Sequence, residues 1–77
     1  MATLLPPEAV FDKLASMLSD KLPMLIEVYR QDVRDGWPPI VIYRNILVSL
    51  RHTNPKRYPQ AQALLEEQIR LLESAPQ

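Results

Sequence analysis

Apolar side chains recur along this chain at intervals of three and four residues, in four runs that each open at or just after proline. Successive residues of a helix are 100° apart. At that spacing, segment 7–20 groups Val10, Phe11, Leu14, Ala15, Met17 and Leu18 on one side, with Glu8, Asp12, Ser16 and Asp20 opposite. Segment 22–35 gathers Leu22, Leu25, Ile26, Tyr29 and Val33 in a narrow stripe suited to packing on one neighbour. Segment 59–74 places Ala61, Leu64, Leu65, Ile69, Leu71, Leu72 and the following Ala75 in a broad arc, with Glu66, Arg70 and Glu73 facing away and Glu66 spaced for an i,i+4 pair with Arg70.

Segment 39–52 is the most apolar, and its β-branched Ile40-Val41-Ile42 has strand character. The spacing of Ile42, Ile46 and Leu50 with Ile40, Tyr43 and Leu47 nevertheless fits a period of 3.6, and the chain offers no second strand to pair with. The segment is therefore predicted as helix.

Proline supplies the punctuation. Pro6-Pro7, Pro23, Pro38-Pro39, Pro55 and Pro59 stand where a helix start loses nothing by the missing N–H, and each disfavours helix in the residue before it. Pro59 would clash with the carbonyl of Pro55 in one continuous helix, so residues 55–58 are predicted as a separate turn that Asn54 can cap. Gly36, the one glycine, is placed to end the second helix in a left-handed turn. The expectation is an all-α protein: a single helical domain over 1–77, built as a small four-helix bundle or a pair of helical hairpins with proline-initiated joints. Ile26-x-Val28-Tyr29-Arg30 recurs as Ile40-x-Ile42-Tyr43-Arg44, an echo too short to establish duplication.

Composition changes this picture in two ways. A chain of 77 residues removes only about 60% of its unfolded surface from water on folding, and small domains usually add a disulfide, a metal or a partner. Cysteine is absent and there is one histidine, so disulfides and Cys- or His-rich metal sites are excluded and self-association or a partner protein is the remaining support. No apolar run approaches the ~20 residues of a membrane span, and the start lacks the basic region of a secretory signal. The expected location is the cytoplasm of a bacterium or phage host.

Net charge is zero but unevenly spread. Residues 36–65 carry Arg44, Arg51, Lys56 and Arg57 without a single acid, while acids predominate on both sides. Such a stretch suits an acidic partner, although four charges make a weak footprint.

Candidate chemistry is sparse. Ser49 and His52 share a helix face, but neither an orienting acid nor an oxyanion hole accompanies them, Glu66 and Glu67 point to different faces, and one glycine builds no phosphate loop. No catalytic residue, cofactor, metal or small-molecule substrate is indicated. The third helix is more informative. Besides its main arc it carries Val41 and Val48, edged by Arg44 and Arg51 on one side and Asn45 and His52 on the other. Either the helix lies centrally and is covered on both sides with its arginines snorkelling to water, or the valines form an exposed ridge that receives an amphipathic segment.

Arg51, His52, Lys56 and Arg57 gather at the end of this helix, where cations also complement the helix dipole. With Arg44 and Tyr58 they offer a possible nucleic-acid surface of phosphate contacts and base stacking, though the helix is too apolar to read a major groove. Trp37 is expected to fold back over the helix start, with an interface anchor as the alternative. Gln68 falls inside the apolar arc of the last helix, where it either sets oligomer register or meets water. These readings converge on a small non-catalytic interaction module, an adaptor, inhibitor or assembly factor. Its partner-binding residues are Trp37, Val41, Arg44, Val48, Arg51, His52, Lys56 and Arg57, and its oligomer interface is Leu65, Gln68, Ile69 and Leu72. A nucleic-acid-associated protein using the basic residues of 44–57 is the alternative.

Overall fold

Each helix of the protein begins on a proline: α1 spans Pro7–Met17, α2 Pro23–Arg34, α3 Pro39–Thr53 and α4 Pro59–Ser74. At this position the ring replaces an N–H that would have no intrahelical acceptor and presets φ for the first turn. The computed structural model describes residues 3–18, 23–53 and 55–74. Asp20, Leu22, Asn54 and Ala75, to which the sequence reading extends, lie outside the described residues, as does the side chain of Leu25.

The helix starts match the sequence pattern more closely than the ends. α1 stops at Met17, because Leu18 is extended at φ −94° and ψ 152° while its N–H still bonds back to the Leu14 carbonyl. α2 stops at Arg34 in a Schellman turn: Gly36 takes φ +106°, its N–H donates to Val33, and the Trp37 N–H donates to Asp32. Residues 55–58 form the expected turn, which ends on Tyr58 at φ 57°.

α1 pairs with α2 and α3 with α4, and the two hairpins close through contacts of α1 with α4 and of α2 with α3. α3 and α4 run antiparallel, since Arg44 meets Glu73 and Arg51 meets Glu66. The result is a small all-α bundle with no strand among the described residues. Its core draws on all four helices: Val10, Phe11 and Leu14 from α1, Ile26 from α2, Ile42, Tyr43, Ile46, Leu47 and Leu50 from α3, and Ala61, Leu65 and Ile69 from α4. Of the six α3 residues predicted from periodicity, five are buried and Ile40 is partly so. Phe11 joins the hairpins, with its ring meeting Tyr43 edge to face at 6.1 Å and 65°.

The polar interior belongs to α4. Gln68, 1% exposed, accepts from the Leu5 N–H at 2.9 Å through Oε1 and donates to the Thr3 carbonyl at 3.0 Å through Nε2. Its amide therefore pairs with the extended N-terminal segment as a neighbouring strand would. Gln62 donates to the carbonyls of Pro55 and Arg57 at 3.0 and 2.9 Å, tying down the turn that carries the left-handed Tyr58.

Two substitutions test these joints. Gly36→Ala should cost about 1–2 kcal/mol, seen as a lower urea midpoint at unchanged slope; a Cβ there would meet nothing within 4 Å, so the cost is backbone strain alone. Gln68→Leu removes the side-chain partner of the Leu5 N–H and the Thr3 carbonyl and should cost about 1–3 kcal/mol, with faster hydrogen exchange at the Leu5 amide as its specific signature.

Candidate functional site

α3 buries one face only. The opposite face carries Val41 at 37% exposure and Val48 at 65%, preceded by Trp37 at 57% just before the helix. Arg44, Asn45, Arg51 and His52 are exposed on the same face. The spacing of 41, 44, 45, 48, 51 and 52 is one outward stripe of a helix. α3 is thus not covered on both sides, and the valines form an exposed ridge. Trp37 does not fold over the helix start; the Schellman turn directs its backbone N–H inward to Asp32 and leaves the indole largely in water.

The electrostatics of this stripe differ from the linear sequence. Arg44 pairs with Glu73 and Arg51 with Glu66, both across to α4. The pair expected between Glu66 and Arg70 is replaced, because Arg51 approaches Glu66 from the facing helix. Side chains in these pairs are about half exposed (49–54%), so each contributes little stability. Their larger effect is to neutralise the α4 edge of the stripe.

Lys56 and Arg57 sit beyond the end of α3 on the exposed turn. The Arg57 guanidinium lies 4.9 Å from the centroid of the Tyr58 ring and stacks on it. Two of the four cations proposed for nucleic acid are thus paired with acids, and one face of the expected stacking ring is occupied.

The residues assigned to an oligomer interface are placed elsewhere. Leu65, Gln68 and Ile69 are 0, 1 and 8% exposed within the single chain, and Gln68 is neither a register-setting contact with a second copy nor in water. Leu72 is partly buried and helps line a cleft of about 300 Å³ with Leu4, Leu5, Pro6, Pro39 and Tyr43. The cleft wall is almost wholly apolar, since its one phenol, Tyr43, is 1% exposed and its hydroxyl has no hydrogen-bond partner. Burial pushes the Tyr43 pKa up to about 12.

One cluster escaped the sequence reading. Arg30 of α2, its side chain 14% exposed, bonds Glu8 at 2.7 Å and Asp12 at 3.0 Å on α1, approaches Glu27 at 3.4 Å, and lies 5.9 Å from the centroid of Phe11. Arg34 adds a second contact to Glu8 at 3.3 Å. The hydrogen bond to Asp12 outweighs burial and, with the charges of Glu27 and Glu8, raises the guanidinium pKa further. The signal was available: Glu8 with Asp12 and Arg30 with Arg34 are i,i+4 sets on successive helices. The arrangement is a clamp between α1 and α2 rather than a reactive site, because its acids are all held by the permanent cations Arg30 and Arg34. Among the described residues no group of three His, Cys, Asp or Glu side chains is placed to hold a metal, and no helix is long and apolar enough to cross a membrane.

No protein-family model matches the chain, and neither a curated protein nor a solved structure does.

The buried phenol makes a pH prediction with a definite sign. The unfolded chain loses the Tyr43 proton near pH 10 and the folded chain near 12, so between those values the native state binds more protons and stability falls with rising pH, by at most about 1.4 kcal/mol per pH unit. Tyr43→Phe should remove that decline and leave stability at pH 7 equal or higher, since it deletes an unpaired buried hydroxyl. Urea unfolding at pH 7, 10 and 11.5 checks both parts.

Proposed function

We propose that this chain is a non-catalytic protein-interaction module that docks its partner along the outward stripe of α3. The observation that carries the reading is the exposure of Val41 and Val48 on one face of α3, with Trp37 exposed just before the helix, while the other apolar residues of α3 are covered. Exposed aromatic and aliphatic side chains rimmed by polar groups are the usual composition of an interface centre, and tryptophan and arginine dominate binding energy where interfaces are dissected. The exposed α3 ridge suits an amphipathic partner helix lying along it, with Trp37 near one end and Val48 near the other. Adaptor, inhibitor and assembly-factor roles all use such a surface.

The supporting geometry also favours protein over nucleic acid. With Glu73 and Glu66 beside Arg44 and Arg51, a phosphate backbone approaching the stripe meets as many acids as bases there.

A photo-cross-linking residue placed at position 48 tests this reading in lysate of the native host, with one at the exposed Lys13 on α1 as control. Protein adducts are expected from position 48 and not from 13. They should fall at least tenfold when Trp37→Ala and Val41→Asp are added, with helicity by circular dichroism unchanged. Equal adducts from both positions, or none from 48, would overturn the proposal.

A further inference from the structure

The cleft beside Tyr43 takes no part in the α3 stripe and has a chemistry of its own. We infer that it binds a small, uncharged, mainly apolar molecule whose one carbonyl oxygen accepts a hydrogen bond from the Tyr43 hydroxyl. The volume of the cleft, about 300 Å³, is about twice the ~150 Å³ of an apolar protein cavity that holds benzene. Its wall is leucine and proline with one phenol, and no charged side chain lines it. A charged ligand would lose hydration there without compensation, whereas an apolar one gains by leaving water.

The hydroxyl supplies the one directional contact. A helical side chain leans over the preceding turn, and for Tyr43 that is the turn of Pro39, which also lines the cleft. The hydroxyl end of the ring is thereby brought to the cleft side of α3. Much of the neighbouring backbone cannot serve it. Pro6, Pro7 and Pro39 have no N–H, the Leu5 N–H is given to Gln68, the Thr3 carbonyl accepts from Gln68, and the Pro6 carbonyl accepts from the Val10 N–H at 3.2 Å. The hydroxyl is left buried without a hydrogen-bond partner. Because it has already lost its water in the folded chain, a ligand carbonyl that reaches it gains the bond with no further desolvation of the protein. A ligand of the same shape without that oxygen gains apolar contact alone.

Access to the hydroxyl depends on one wall. Solvent does not reach the atom, so a ligand meets it only as a covering group shifts. Pro39, Tyr43 and Leu72 stand on α3 and α4, but Leu4 and Leu5 stand on the extended segment before α1. Leu4 is 46% exposed, and a single side chain, Gln68, ties this segment at Thr3 and Leu5. Such a wall yields at the loss of few contacts while the helical walls stay in place.

Three aromatic probes of similar shape test the inference on the unchanged chain. Acetophenone carries the carbonyl, ethylbenzene lacks it and benzoate replaces it with a charge. Acetophenone should shift the methyl resonances of Leu4, Leu5 and Leu72 saturably, leave those of Val48 in place, and bind at least fivefold more tightly than ethylbenzene; benzoate should give no shift. In Tyr43→Phe, which retains the ring, acetophenone and ethylbenzene should bind equally. The inference is overturned if acetophenone gives no saturable shift up to its solubility limit, if it shifts Val48 as much as Leu72, or if ethylbenzene or benzoate binds as tightly. An acetophenone preference that persists in Tyr43→Phe would overturn the role of the hydroxyl. None of these outcomes bears on the α3 stripe, whose cross-linking test stands apart.

Discussion

The contact of Phe11 with Tyr43 is the joint on which the bundle closes. Each hairpin alone is two short helices with one apolar stripe, and such a unit is marginal in water. Phe11 is fully buried, its ring set edge-on to Tyr43 of the other hairpin and beneath the guanidinium of Arg30. The aromatic pair thus connects α1 to α3, and the cation that covers it fastens α1 to α2 through Glu8 and Asp12. Closure has a cost, visible in the Tyr43 hydroxyl, which is buried without a partner. The ring itself fills core volume that no smaller side chain would, and the cost lies in the hydroxyl alone.

Around this joint, polar side chains do the work that backbone pairing does in larger proteins. Gln68 supplies the donor and acceptor that the N-terminal segment lacks, and Gln62 does the same for the turn before α4. Both amides are buried because they are satisfied. Their inward placement uses the α4 arc for cohesion within one chain, while the outward stripe of α3 carries exposed valines with ion pairs along its α4 edge.

Periodicity and punctuation made much of the fold legible. The apolar spacing of α3 identified its buried face despite β-branched residues, because no pairing edge was available and the 3.6-residue period is a property of the helix itself. The prolines marked all four starts, and Gly36 marked one end through a backbone conformation that other residues resist. Less of the candidate site could be read. Asymmetry of charge along the chain suggested a basic surface, yet Arg44 and Arg51 are neutralised by acids from the next helix, which folds back antiparallel beside them. Trp37 was expected to be covered, and its exposure depends on the direction in which the Schellman turn releases the chain.

The sequence by itself determined the four helices, their starts and most of the core residues, since these follow from local sterics and from which side chains shun water. Only the tertiary structure decided what the polar residues do. A glutamine on an apolar arc is compatible with a buried bond, a wet surface or a second copy, and an arginine is compatible with any acid within reach. The choice rests on which distant groups the packing brings within about 3 Å. That choice put Gln68 on the N-terminal backbone and Arg30 on α1, and it set paired charges along the α4 edge of the α3 stripe.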